Sequence, residues 1–310
     1  MLTSGAIRLF RVAGIDVFLH WSWFVVAIFE INDRAGTYSS IGWNIAEYLA
    51  LFLIVMTHEF GHSLACRQVG GSANRIVLWP LGGVAFVNPP PRPGATLWSI
   101  AAGPLVNVAL LPVFLGLVAF SRSLGWPDAQ PDAYAFLQAL LYIDAGLLIF
   151  NVLPIYPLDG GQILRSLLWF IMGRARSLMA ATVVGVIGAA GIIYLAVQAQ
   201  SLWYGIMAAF ILMNCWQGWQ HARELSRFER TARHNEFACP SCKASPPIGD
   251  YWFCPQCGNR FDTFRTQAVC PHCAAQFSAT RCIDCGGSHS ISEWATAVLA
   301  QPVESRSLPE

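Results

Sequence analysis

The sequence predicts an α-helical polytopic membrane protein of about six transmembrane helices, with a small β domain toward its C-terminal end. Three observations predict this. Hydrophobic residues make up 55% of the 310 and charged residues only 12%, about half the roughly 25% of a soluble globular protein. Apolar stretches near the ~20 residues that a membrane helix needs recur through the first 220 positions. Eight of the ten cysteines fall between positions 239 and 285.

Taken in order, the spans are predicted at 16–32, 46–66, 96–120, 134–156, 178–198 and 202–219. Arg8 and Arg11 precede the first span as in a signal peptide, but no small-residue cleavage site follows Phe29, so it reads as an uncleaved helix. Between the fourth and fifth spans, LDGGQILRSLLWF is too short to cross and reads as a re-entrant or interfacial helix. Arginine sets the orientation. Arg8, Arg11, Arg67, Arg75, Arg92, Arg165, Arg174, Arg176, Arg223, Arg227, Arg230 and Arg233 fall on one side, against Arg34 and Arg122 on the other. Both termini are therefore expected in the cytoplasm, in a multi-pass protein of a bacterial inner membrane.

Four segments follow: a membrane domain at 1–220, a charged linker helix at 221–238, a cysteine-rich module at 239–287 and a flexible tail at 288–310. Net charge is +1, which excludes a nucleic-acid binder driven by bulk charge.

The sharpest motif is HEFGH at 58–62, near the cytoplasmic end of the second span. Positions i and i+4 share a helix face, so His58 and His62 can bind one Zn²⁺ while Glu59 reaches a water on it. Two histidines and a glutamate inside an apolar helix are costly unless paired or metal-bound; a polar cluster that packs helices is the alternative. A third ligand must come from another span at the same depth. NVLPIYPLDGG, 151–161, closes the fourth span on that side, and its Asp159 lies among helix-breaking Pro and Gly residues where backbone lines a cavity.

These motifs together resemble the site-2 protease family of intramembrane zinc metalloproteases. GPLVN at 103–107 and LGGVAF, which contains Gly82 and Gly83, also resemble that family's patterns. The resemblance covers about residues 10–220. It implies zinc ligation by His58, His62 and Asp159, Glu59 as general base, and cleavage of membrane-spanning or membrane-anchored substrates within the bilayer. Asn151 is the first candidate donor to the oxyanion and Asn107 the second, each with helix-backbone bonding as the alternative. The Pro/Gly-broken, β-prone segment 76–93, with Gly82 and Gly83, reads either as an edge that holds an unwound substrate strand or as a packed connector. His20 and Asp144, also within spans, read as structural pairs or proton-handling groups.

The cysteines form four C-x-x-C pairs, and such pairs need reduced thiols. CPSC, CPQCG, CPHC and CIDCGG resemble a double zinc ribbon, a small zinc-ribbon β domain. Sequential pairing puts Cys239, Cys242, Cys254 and Cys257 on one structural zinc, and Cys270, Cys273, Cys282 and Cys285 on the other. Crossed pairing stays open, as does rubredoxin-like iron. Four basic against three acidic residues, with two zinc centres at −2 each, give the module about −3. That disfavours nucleic acid and favours a cytoplasmic protein partner. Tyr251, Trp252, Phe253, Phe261 and Phe264 are either its contact face or its own small core.

The expected function is a zinc metalloendopeptidase of membrane substrates. The alternatives are a non-catalytic membrane scaffold and a zinc transporter or sensor. An intact HEFGH with Asp159 argues against the first, and clustering of the polar residues at one membrane end argues against the second.

Overall fold

The computed structural model describes residues 5–34, 36–79 and 82–299. The chain divides into two compact units, Met1–Arg223 and Glu224–Glu310.

The first unit begins with a hairpin. Strand β1 (Ala6–Val12) turns through left-handed Ala13 and Gly14 into antiparallel β2 (Ile15–His20). Helices α1 (Ser22–Asp33) and α2 (Ile41–Gln68) lead out and back, because β3 (Ser72–Trp79) returns beside β2 in parallel. Strand β4 (Gly82–Asn88) pairs antiparallel with β3 and forms an edge of the four-stranded sheet. Ile15, Val17, Ile76 and Leu78 are fully buried against Val55 of α2.

The first predicted span is therefore corrected. Residues 16–20 belong to β2, whose backbone is satisfied by β1 and β3 rather than by a helix. Only the 12 residues of α1 are helical, about 18 Å at 1.5 Å per residue, short of the ~30 Å hydrocarbon core. Within the segment 76–93, β3 and β4 pair antiparallel, which gives the β-prone stretch its edge; Pro80 and Leu81 lie outside the described residues.

The remaining helices of this unit are α3 (Pro93–Ser123), α4 (Trp126–Ala129), α5 (Pro131–Val152), α6 (Asp159–Met172), α7 (Arg174–Gln198) and α8 (Leu202–Glu229). Among the described residues, four helices, α2, α3, α5 and α7, are long and apolar enough to cross a membrane. Their outward faces are apolar, with Phe120, Ile149 and Ile187 at least 63% exposed, as a lipid-facing surface requires. Helix α6 has 14 residues, about 21 Å, too short to cross. The predicted sixth span lies within α8, whose 28 residues suffice in length but whose later turns are polar.

In the second unit, β5 (Trp252–Phe253) pairs with β6 (Arg260–Phe261), and β7 (Thr280–Arg281) with β8 (Ser288–His289). Four knuckles share one geometry. In each, the residue after the second cysteine is left-handed (Lys243, Gly258, Ala274, Gly286) and donates its N–H to the first cysteine's carbonyl. Phe261 and Phe264 are core residues, whereas Phe253 and Tyr251 are exposed.

Two predicted boundaries change here. The linker expected at 221–238 divides: α8 ends at Glu229, Arg233 forms a two-pronged ion pair with Asp284 (2.7 and 3.2 Å), and Phe237 is buried in the module's core. Residues 288–299 of the expected tail are instead structured, as β8 and helix α9 (Ile291–Leu299), and Trp294 is 1% exposed in that core. Residues 300–310 of the expected tail lie outside the described residues.

Asp262 ties this unit together. Its Oδ2 accepts from the Gly249 amide and His234 Nε2, both at 2.9 Å, and its Oδ1 from the Phe264 and Arg265 amides. Burial opposes its charge, but the Gly249 amide, His234 and the Arg265 amide outweigh it and hold the carboxyl below its ordinary range. A lowered carboxyl contributes stability above its unfolded pKa, so the contribution is complete at neutral pH. Asp262→Ala is expected to destabilise this unit by about 3 kcal/mol, because it strands buried N–H donors. Denaturant unfolding at pH 7 checks this.

Candidate metal centre

Helix α2 carries His58, Glu59 and His62 into the interior of the first unit, each 5–6% exposed. One turn apart, the two imidazoles share a face, and their Nε2 atoms lie 3.1 Å apart. Asp159 opens α6 and brings Oδ2 to 3.0 Å from His58 Nε2 and 3.3 Å from His62 Nε2. The loop before it is seated by close packing. Cys215 of α8 donates to the Tyr156 carbonyl at 3.3 Å, and a Cβ at Gly160 would stand 2.2 Å from the Val152 carbonyl oxygen.

The outer ring nitrogens fix the tautomers. His62 Nδ1 donates to the Ser99 carbonyl at 2.9 Å, since a carbonyl only accepts. Asn107 gives its Nδ2 to Asp144 Oδ1 at 2.7 Å, so its oxygen faces His58 Nδ1 at 2.6 Å and receives that proton. Both Nε2 atoms are thus lone-pair donors aimed at one carboxylate oxygen. Three such atoms 3.0–3.3 Å apart repel one another unless a cation lies among them. Tetrahedral ligands 2.0–2.1 Å from zinc stand roughly 3.3 Å apart, so the residues fit a zinc ion.

Two neighbours complete the pocket. The Ala85 amide on edge strand β4 donates to Glu59 Oε2 at 2.8 Å. Gly103 of α3 leaves the space that both rings occupy: a Cβ there would sit 2.3 Å from His62 Nε2 and 2.7 Å from His58 Nε2.

Not every predicted residue falls where expected. Asn107, expected as a substrate donor, is fully buried with both ends of its amide committed, which corrects that role. Asn151 lies half-buried in the last turn of α5. Gly82 and Gly83 begin β4 opposite Trp79 and Leu78, two to three residues before Ala85. His20 is a packed residue, bonded to Ser22 and stacked on Trp79 at 4.2 Å. The Ser99 carbonyl, the Ala85 amide and the Asp144–Asn107 bond escaped sequence reasoning. A lone carboxylate in a span was the available signal for the last of these.

The cysteines form two further clusters, and their pairing corrects the sequential one. Cys239, Cys242, Cys282 and Cys285 group together, enclosing Cys254, Cys257, Cys270 and Cys273 in sequence. Paired sulfurs lie 3.6–3.8 Å apart with no disulfide, matching the roughly 3.8 Å edge of a zinc tetrathiolate. The core explains the nesting: Cys239 and Cys282 pack with Phe237, Phe264 and Trp294, whereas Cys254 and Cys270 pack with Phe261.

A buried pair of helix-borne histidines with a carboxylate from a second element defines a candidate metal centre among helices of membrane-spanning character. The model of peptidase family M50 matches residues 46–132 and 127–195. A zinc metalloprotease of Methanocaldococcus jannaschii is 33% identical over 58% of this chain and 50% of that protein. A putative zinc metalloprotease of Synechocystis sp. is 30% identical over 72% of this chain and 62% of its own. The solved site-2 protease from M. jannaschii matches with a TM-score of 0.50 and 26% identity, over 69% of this chain and 95% of that one. The match to peptidase family M50, the family of the site-2 proteases, runs through residues 46–195, and the long apolar helices within it mark an integral membrane protein. The chain spans about half the length of the curated relatives it matches.

Proposed function

We propose that the chain is an intramembrane zinc metalloendopeptidase that hydrolyses membrane-spanning or membrane-anchored proteins near the cytoplasmic face, as in regulated intramembrane proteolysis. The observation that carries this is the buried convergence of His58, His62 and Asp159 beside Glu59, with the two histidines and the glutamate on a helix long and apolar enough to cross a bilayer. His58, His62 and Asp159 would hold the zinc, which when bound supplies the Lewis acidity that activates water and polarises a peptide carbonyl. Glu59 spends one carboxylate oxygen on the Ala85 amide. Its other oxygen takes the attacking water's proton and later passes it to the leaving nitrogen. Asn151 donates to the oxygen on which charge develops. The edge of β4, from Gly82 and Gly83 toward Ala85, holds the unwound substrate extended; the Ala85 amide, directed out of the sheet to Glu59, supports this reading.

The cofactors are one catalytic and two structural zinc ions, the latter on the nested cysteine sets. The arginine bias supports cytoplasmic termini. The exposed Tyr251 and Phe253 support a cytoplasmic protein partner for the ribbons.

Comparison of N-termini in membranes from cells expressing wild type or Glu59→Gln tests the protease. Glutamine keeps the shape and cannot take the proton, so cleavage is expected to fall about 10²–10⁴-fold. New N-termini within other proteins' spans are expected with wild type alone. Matching profiles from a folded, zinc-loaded wild type supplied with co-expressed membrane substrates would overturn it.

A further inference from the structure

We propose that Asp144 and Asn107 are a positioning pair that fixes which nitrogen of His58 faces the metal centre. The inference rests on the zinc reading above and deepens it. Asp144 is fully buried in the middle of α5, a helix long and apolar enough to span the membrane. A carboxylate is costly there unless paired, yet no ion-pair partner faces it among the described residues. Among those residues its one hydrogen bond is to Asn107 Nδ2, and its Oδ2 is buried with no partner from them. Packing alone gives no reason for such a group.

Polarity gives one. An amide can present either end to a neighbour, so Asn107 by itself does not determine the His58 tautomer. A carboxylate only accepts. Asp144 therefore draws the Asn107 nitrogen toward itself and leaves the Asn107 oxygen facing His58 Nδ1. The ring proton sits on Nδ1, and Nε2 presents a lone pair toward Asp159 and His62. The chain from Asp144 through Asn107 to His58 runs in one direction because it ends on an acceptor-only group. Partners that orient metal-binding histidines set affinity by such bonds.

Two variants of the full chain test this in detergent, with zinc itself as the probe. Metal-centre zinc is counted against His58→Ala/His62→Ala, which keeps only cysteine-bound ions, and its affinity is read by chelator competition. Asp144→Asn lets the Asn107 amide turn over, present its nitrogen to His58 and move the ring proton to Nε2. Affinity is expected to fall about 10- to 100-fold. In Asn107→Asp/Asp144→Asn, the carboxylate at position 107 accepts from His58 Nδ1 and from the amide at 144, so the direction is restored. That chain is expected to bind within about threefold of wild type, a recovery that a packing role does not produce. Wild-type affinity in Asp144→Asn, or a double variant as weak as the single one, overturns the positioning pair. If Asp144→Asn is not recovered as a monodisperse protein, the double variant decides alone by the same threshold. A folded wild type that holds no zinc beyond the cysteine-bound ions overturns the metal centre itself, and this inference with it.

Discussion

Gly103→Ala is expected to remove the metal centre while leaving α3 intact. By helix propensity the change is favourable by about 1 kcal/mol, because alanine replaces glycine within a helix. Sterically it is prohibitive at one place. The new Cβ would stand 2.3 Å from His62 Nε2 and 2.7 Å from His58 Nε2, against the roughly 3.5–4.0 Å of an ordinary contact. Neither ring can swing aside cheaply, since His62 is bonded to the Ser99 carbonyl and His58 to Asn107. The atoms that must give way are the zinc donors themselves. Zinc affinity at this centre is expected to drop at least ~100-fold, with proteolysis falling alongside and thermal stability lowered, because overpacking costs about 1–3 kcal/mol against the ~1 kcal/mol gained in propensity. Zinc per chain, cleavage of a membrane substrate and a melting curve, measured on one preparation, check it. Wild-type zinc affinity in Gly103→Ala would show that the rings do not occupy this pocket.

What the sequence discloses about this site depends on whether the interaction is local. The His58–His62 pair is legible because both donors lie on one helix at i and i+4, and the period alone places them together. Asp159 is legible for a different reason: Pro154, Pro157, Gly160 and Gly161 mark where backbone leaves the helix, and a carboxylate there has few structural uses. Asn107 and Asp144 are 37 positions apart; their bond exists only because α3 packs against α5. No period encodes that adjacency. The N-terminal sheet was hidden by hydropathy itself. Residues 16–20 and 22–32 form one apolar run, and a hydropathy sum does not separate a buried strand from the helix after it. Of the two strands that β2 pairs with, β1 and β3, only β3 lies in a segment whose Pro/Gly-broken pattern reads as β-prone.

The same locality explains the cysteine pairing, and the consequence is a second large expected effect. Each knuckle forms from five consecutive residues, so all four are legible. Which two knuckles share a metal is not, because the intervening segments of 11, 12 and 8 residues permit either arrangement. Aromatic packing decides it, with Phe237, Phe264 and Trp294 around one pair and Phe261 around the other. Zinc binding in such small units supplies about 10–16 kcal/mol of folding free energy, so losing a site unfolds the ribbon built on it. In the nested arrangement, Cys242→Ser/Cys285→Ser disables one centre, because both residues serve the same ion. Cys242→Ser/Cys257→Ser disables both. Zinc content of the cysteine module is therefore expected to fall by one ion per chain in the first variant and by two in the second, with protease sensitivity of residues 239–287 rising in that order. Sequential pairing demands the reverse: two ions lost with Cys242→Ser/Cys285→Ser and one with Cys242→Ser/Cys257→Ser. Because the variants exchange outcomes between the two arrangements, the metal count assigns the pairing without reference to any effect on proteolysis.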